Sequence, residues 1–318
     1  AVVEALRMAE DREVVYAAGR VAASIQDFAG AERIGRILDR STGSSDTRWA
    51  SQALSAGLAF AQGRWASAKE ALERTATEEP EWALEMRALL SLFEPLPVPE
   101  QELTARRDSL QAWEPEAYVE TSFTDLFGAH AQSHQEFRLF LLAMLSARLG
   151  EFEEGAAFAE QIRGLSRSPD AQAFTYALSR SAQAHALLYQ GDPQGALEIL
   201  ETMGYYPAFE YISASPFFSR ALDRWIRGEL LVEVGRSEDA LAWFATLSEG
   251  WGEFLFSGPA HLRQGQIHAD LGNADQAIAH FLRFEDLWTD ADPELQPLVQ
   301  EAREAREALQ ASGRPGPP

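Results

Sequence analysis

The sequence predicts an all-α protein, a right-handed α-solenoid of helix-turn-helix repeats that ends in a capping helix. One spacing occurs four times: a small residue, Gly seven positions later, a small residue five positions further, and an apolar residue four positions beyond it. Two further copies precede these four, one at the same spacing and one looser, and hydrophobic residues make up 46% of the chain, enough to bury one face of every repeat. Patterns that recur at this period are typical of helix pairs that form a core by stacking. The four copies are Ala143, Gly150, Gly155 and Ala159; Ala184, Gly191, Ala196 and Leu200; Gly228, Gly235, Ala240 and Phe244; Gly265, Gly272, Ala277 and Phe281.

Each position of the pattern has a physical role in a helix pair. The first small residue lets the second helix approach closely, and the Gly ends the first helix, where a left-handed backbone costs little. The second small residue lies at the helix crossing, and the last residue fills the space behind it. The pattern therefore predicts where each first helix stops and where the two helices touch.

Residues 1–84 are interpreted as two further repeats, and residues 85–130 as an irregular connector. Because 87 residues, about two periods, separate Ala68 from Gly155, we expect one degenerate repeat between residues 85 and 125. The residues in register are Ala56, Gly63, Ala68 and Leu72 in the range 51–77, and Gly19, Ala31 and Leu38 in the range 13–40.

Two irregular stretches interrupt the repeats. Three prolines within Glu94–Glu100 exclude a helix there, whereas Glu100–Ala112 reads as helical up to the break at Glu114 and Pro115. A packed connector is the favoured interpretation, and a hinge is the alternative. The range 203–218 holds six aromatic residues. Dense aromatics favour a buried loop, with an aromatic lip around a ligand as the alternative.

The repeats of residues 131–291 are followed by a terminal helix. Asp292 is expected to cap it and Pro293 to take its first position, so that residues 294–311 form one helix within a capping segment of residues 292–311. Its apolar stripe closes the core while its other face is charged. Residues 312–318 are expected to form a flexible tail. The stripe consists of Leu295, Leu298, Ala302, Ala305 and Leu309.

Composition and motifs limit the function classes. The net charge of −22 opposes binding to nucleic acid or anionic lipid, and no apolar run is long enough for direct membrane insertion. Without cysteine, a disulfide, a thiolate nucleophile and a Cys-type zinc site are excluded. No phosphate-binding loop or serine elbow is present. We therefore expect a non-catalytic protein without a cofactor, in a compartment that the sequence leaves open: the cytoplasm, or the extracytoplasmic part of a membrane-anchored protein.

The histidines are the one set of candidate metal ligands that the sequence singles out. His130 and His134 are four residues apart, a spacing that can hold a metal on a helix, but a third ligand is not evident in the sequence. An ordinary polar face is the favoured interpretation, with a metal-dependent enzyme on an α-solenoid scaffold as the alternative. His261, His268 and His280 are assigned to helix packing and to the surface.

The pattern resembles the tetratricopeptide repeat (TPR), although the aromatic residues of that family's first helix are mostly missing. The segment from Ser215 to Leu309 also resembles the C-terminal repeat regions of multidomain bacterial signalling proteins, which carry kinase, cyclase or transcription-regulator domains. The resemblance implies a protein-interaction or sensing module that forms the C-terminal part of a larger protein. A free-standing adaptor is the alternative.

In this family the first helices line a concave groove that binds a partner. The resemblance therefore implies that the groove binds another protein, as a peptide or a helix, or an effector domain that precedes this chain. A groove that clamps a carboxylate needs paired lysines, and Lys69 is the single lysine. The groove positions correspond to Tyr16, Arg20, Phe137, Phe140, Met144, Arg148, His185, Tyr189, Trp225, Glu229, Glu233 and Gln266.

Overall fold

The all-α prediction is confirmed in a computed structural model of the chain. The residues that the structure describes form fifteen helices and no strand. The described residues are 18–19, 21–22, 27–39, 45–77, 79–96, 98–116, 130, 132–165, 169–203, 216–248 and 253–312. The helices are α1 Phe28–Asp39, α2 Ser45–Ala61, α3 Trp65–Thr75, α4 Pro80–Ser91, α5 Glu100–Ala112, α6 His134–Arg148, α7 Phe152–Gly164, α8 Pro169–Tyr189, α9 Pro193–Thr202, α10 Pro216–Ser219, α11 Ala221–Glu233, α12 Ser237–Ser248, α13 Phe254–Asp270, α14 Ala274–Leu287 and α15 Gln296–Ser312.

The glycines of the pattern end their helices as predicted. Gly63, Gly150, Gly191, Gly235 and Gly272 all have φ between +67° and +82°. After each of them the next residue donates its N–H to the carbonyl five residues back, as Glu151 does to Ser146 at 2.8 Å. This is the hydrogen bond of a Schellman turn, which satisfies a carbonyl that the helix end would leave unpaired. One local motif therefore makes the sharp reversal in five helix pairs.

The small residues of the pattern lie at close helix contacts. Ala184, Ala196, Ala240 and Ala277 are fully buried. A Cβ added to Gly265 in α13 would lie 2.7 Å from the ring of Phe281 in α14, so this glycine is what lets the aromatic ring pack onto the first helix. The predicted pairing of a small residue with a large one is present at this crossing.

The chain divides into two compact units that do not follow its order in sequence. Unit 1 combines residues 1–79 with residues 237–318, and unit 2 is residues 80–236. The expected boundaries after residues 84, 130 and 291 do not coincide with this division.

Unit 1 brings helices from both ends of the chain together. In it α2 packs on α1, α3 and α13, and α13 packs on α12, α14 and α15. Gly57 of α2 faces the ring of Phe254, where an added Cβ would come within 2.8 Å of it. A stack in which every repeat touches its sequence neighbours alone does not produce this contact.

The role expected for Asp292 is wrong. The terminal helix α15 begins at Gln296, after a turn at residues 293–295, so Asp292 lies too far upstream to cap it. Its carboxylate Oδ2 instead accepts the N–H of Ala66 at 2.6 Å, and its own N–H donates to the carbonyl of Gly63 at 3.0 Å. Asp292 therefore caps α3, whose flanking residue Arg64 supplies no side-chain cap.

Unit 2 has a more regular order. Helix α6 packs on α4, α5, α7 and α8, and α8 packs on α7 and α9, which in turn contacts α11. The helix predicted from Glu100 to Ala112 has the bounds of α5, and the proline stretch before it is non-helical as predicted. Leu92 and Phe93, which follow α4, are each 1% exposed, in agreement with a packed connector.

Candidate functional site

The expected groove residues separate into a buried set and an accessible set. Five members, among them all the aromatic and apolar ones except Tyr189, are core residues in the structure, with exposed fractions of 0–4%. Phe137, for example, stacks on Phe217 with 4.3 Å between the ring centroids. A partner would reach these side chains only after the core had opened. The buried members are Phe137, Phe140, Met144, His185 and Trp225.

Four of the accessible members come together in unit 2. Arg148 ends α6, Tyr189 ends α8, and Glu229 and Glu233 lie in the second half of α11. The charges of Arg148, Glu229 and Glu233 act on the carboxyl of Glu94, and the charge of Glu94 acts on Tyr189. Glu94 follows α4 and is not among the expected site residues. We call Glu94, Arg148, Tyr189, Glu229 and Glu233 the Glu94 patch.

The remaining expected groove residues lie elsewhere. Gln266 belongs to unit 1, where its side chain accepts a hydrogen bond from Arg263 at 2.6 Å and donates one to Glu301 at 3.3 Å. Tyr16 and Arg20 lie outside the described residues.

The Glu94 patch rests on a buried floor. The ring of Phe93 meets the ring of Trp225 edge to face, with centroids 5.5 Å apart. Arg148 donates from Nη1 to the carbonyl of Ser91 at 2.6 Å, which ties the end of α6 to the end of α4. The segment after α4 therefore contacts α6 and α11, and Glu94 directly follows these contacts.

The electrostatics of the patch are dominated by negative charge. Glu94 keeps solvent access, yet partial desolvation by its surroundings raises its pKa, the charges of Glu229 and Glu233 raise it further, and His185 and Arg148 oppose this rise. Burial also raises the pKa of Tyr189 to about 12, and the charge of Glu94 adds to the effect. Three carboxylates thus face one guanidinium, and Glu94 would be stabilised by another cation.

A Ser, His and Asp set lies beneath the patch, but its order differs from that of a nucleophile triad. The hydroxyl of Ser181 donates to Oδ1 of Asp223, and the same oxygen lies 3.4 Å from Nε2 of His185. A triad needs the histidine between the serine and the acid. Arg220 donates from Nε to the other oxygen, Oδ2, at 2.9 Å. Burial would raise the pKa of Asp223, but Arg220, His185 and Ser181 together hold it at about 2, so the set anchors a buried carboxylate.

The structure supplies the third group that His130 and His134 lacked in the sequence. Glu85 of α4 is fully buried, and its Oε2 lies 2.6 Å from Nε2 of His130 while its Oε1 lies 2.8 Å from Nδ1 of His134. A signal for Glu85 exists in the sequence, because it shares the apolar face of α4 with Trp82, Met86 and Leu89. An acid on such a face indicates a buried polar partner.

The other three predicted packing histidines also meet, in unit 1. Nδ1 of His261 lies 3.0 Å from Nδ1 of His280, and the rings of His268 and His280 stack with centroids 5.5 Å apart. Burial lowers the pKa of His261 to about 3, and the charges of His280 and Arg283 add to the effect. His261 is therefore neutral at physiological pH and fits the helix-packing role expected for it.

The remaining predicted segments are only partly described. Residues 204–215 of the aromatic loop lie outside the described residues, whereas Phe217 is buried in the core. Of the terminal stripe, Leu295, which precedes α15, and Ala302 are each 1% exposed, and Val299 joins them at 2%. The other members, Leu298, Ala305 and Leu309, are half-buried.

Comparison with known families and curated proteins identified no relative of this chain. No protein-family model matches the chain, and no curated protein matches it either. Among the described residues, no helix combines the length and the apolar character that a membrane crossing requires. The resemblance to tetratricopeptide repeats therefore rests on the residue pattern and stays a prediction.

Proposed function

We propose that the chain is a protein-interaction or sensing module of tetratricopeptide-like repeats, which binds an extended peptide or a helix of a partner at the Glu94 patch. One observation carries the proposal: Arg148, Tyr189 and Glu229, assigned to the groove by resemblance, lie on three different helices and interact electrostatically with the same carboxyl, that of Glu94. The packing of α6 on both α4 and α8 supports a stack of first helices in unit 2.

The partner segment carries lysine or arginine. Glu94 and Glu233 are solvent accessible and Glu229 is half-buried, so a cationic side chain can reach all three. Desolvation raises the pKa of Glu94, the charges of Glu229 and Glu233 raise it further, and a bound cation would stabilise its ionised form. A basic segment of an effector domain would be a partner of this kind, in line with the resemblance to bacterial signalling proteins.

The segment after α4 supports an extended shape for the partner. After Ser91, the last residue of α4, Phe93 and Glu94 continue in non-helical backbone. The carbonyl of Ser91 accepts from Arg148, the ring of Phe93 meets Trp225, and the carboxyl of Glu94 interacts with the charge of Arg148. An extended partner strand beside it would use the same kinds of contact.

A displayed library of random peptides, selected on the intact chain, tests the proposal. The recovered peptides are expected to carry lysine or arginine. Their affinity, measured by fluorescence anisotropy, should fall about five-fold in the Glu229→Gln/Glu233→Gln double variant, since two partly exposed ion pairs are lost. Raised salt should weaken binding as well.

Glu198→Gln is the matched control, because Glu198 is an exposed acid of unit 2 on α9 and outside the patch. It should leave the affinity unchanged. Peptides without cationic residues that bind wild type and the double variant equally would show that the patch is not the binding surface.

A further inference from the structure

The carboxylate of Glu85 and the imidazoles of His130 and His134 form a compact three-donor cluster. Their ligand atoms all lie within 4.8 Å of one another, and the two histidines approach different oxygens of the same carboxylate. Glu85 comes from the middle of α4, whereas His134 opens α6, so two helices converge on this point.

The cluster leaves a buried charge to be balanced. The side chain of Glu85 is 0% exposed, and among the described residues its ion-pair partners are the two imidazoles. If both rings are neutral, the cluster holds a net negative charge in a water-poor interior, which is unfavourable. A divalent cation at the three donors removes this imbalance, and so does a proton on one imidazole.

The donor set and its surroundings favour a borderline metal. Two imidazole nitrogens and one carboxylate oxygen are ligands that zinc prefers, and softer thiolate ligands are absent from the whole chain. Phe137 and Phe217 pack on the ring of His130, with centroids 4.8 Å and 5.9 Å away, and Trp113 lies against His134 at 5.5 Å. Such an apolar shell strengthens electrostatic attraction at its centre.

We propose that Glu85, His130 and His134 bind one divalent transition-metal ion of the zinc class, with a fourth position left for water. The side chain of His134 is 17% exposed, which gives an ion a way in, whereas that of His130 is 5% exposed. Bound metal would join α4 to the start of α6 across the 45 residues between Glu85 and His130. The ion would act as a clip that holds unit 2 together.

Titration of the untagged, metal-free chain with Co²⁺ and then Zn²⁺ tests the proposal. We expect one equivalent of Co²⁺ to give visible d–d absorption that one equivalent of Zn²⁺ removes, and Zn²⁺ to raise the unfolding temperature. Glu85→Gln and His134→Asn should each weaken Co²⁺ binding by more than about 100-fold, since even a supporting residue of a metal site contributes up to that factor.

His268→Asn is the control, because it alters the other histidine cluster and should leave the spectrum unchanged. Circular dichroism on each variant verifies that the helices are retained, and the wild-type titration decides the matter even if a variant unfolds. A folded wild-type chain that takes up no metal would overturn the proposal and leave the cluster as a proton-holding ion pair. Binding lost in His268→Asn but kept in His134→Asn would overturn it too.

Discussion

At the scale of single residues, Arg220 combines a strained backbone with a structural ion pair. It is the one described residue other than glycine with positive φ, at 52°, and it lies between α10 and α11. Its guanidinium reaches the buried carboxylate of Asp223 at 2.8 Å. The ion pair thus holds a conformation that side chains normally avoid.

Two substitutions at Arg220 separate these effects. Arg220→Ala and Arg220→Gly both remove the ion pair, but only Ala keeps the left-handed strain. We expect the Gly variant to be more stable than the Ala variant by about 1 kcal/mol. Urea unfolding of both proteins measures the difference. Equal stability, or a more stable Ala variant, would show that the backbone at this position is not strained.

Glu94 gives a pH-dependent prediction at the same scale. Because its pKa is raised in the folded protein, the folded state holds a proton more readily than the unfolded state, and this group lowers stability as pH rises through the folded-state value. Glu94→Gln should therefore stabilise the protein at neutral pH and have no such benefit at pH values below the ordinary glutamate range. Thermal unfolding across this pH interval, with Glu198→Gln as the control, measures the effect. A benefit that grows as the pH falls would contradict the account.

The two site carboxylates also differ in how far the sequence predicts them. Glu85 interrupts the apolar face of a helix, so its burial can be inferred from periodicity. Glu94 stands between Phe93 and Pro95 in an irregular stretch without periodicity. Its neighbours in space come from α6, α8 and α11, and no local pattern specifies that meeting.

At the scale of helices, the glycine pattern can be tested at one crossing. Gly265→Ala would place a Cβ 2.7 Å from the ring of Phe281, so the helices must separate. We expect a loss of about 1–3 kcal/mol, as for other overpacked contacts. Differential scanning calorimetry measures it.

Gly164→Ala is the matched control, since Gly164 is also helical and a Cβ there meets nothing within 4 Å. It should be neutral or stabilising by up to about 1 kcal/mol, because alanine is the better helix former. If both variants behaved alike, close approach at Gly265 would not explain its place in the pattern.

Helix ends were predicted well because their cause is local. The turn at each pattern glycine needs one residue with positive φ and hydrogen bonds within six residues. A glycine at a fixed position in the pattern is therefore enough to predict it. Asp292 shows the limit of such reasoning. Its sequence neighbour Pro293 suggests a cap for the following helix, yet the N–H that it accepts belongs to Ala66, 226 residues away.

At the scale of the whole molecule, the link between Asp292 and α3 is the prediction to test. Asp292→Ala removes a helix cap and one tie within unit 1, and we expect it to cost about 1 kcal/mol. The N–H of Ala66 should also exchange with solvent faster, which hydrogen exchange detects directly. Asp290→Ala, at an exposed acid two residues earlier, is the control. Unchanged protection at Ala66 would show that the cap is not formed.

The sequence predicts the helical class and most repeat boundaries, but not the division into units. The six register segments suggest a linear order, whereas unit 1 joins α1, α2 and α3 to α12 and the helices that follow it. Contacts such as that between Gly57 and Phe254 involve ordinary core residues without a sequence signature. Pairing at such separations depends on surface shape, which a single sequence does not reveal.

The pH dependence of peptide binding gives the sharpest test of the proposal that the Glu94 patch binds a cationic segment. A lysine- or arginine-containing peptide obtained by selection on the chain should bind more tightly as pH rises through the raised pKa of Glu94, because the ionised carboxylate attracts the cation. In Glu94→Gln this rise should be reduced or lost. Affinity that does not change with pH in wild type, or changes identically in Glu94→Gln, would contradict the claim.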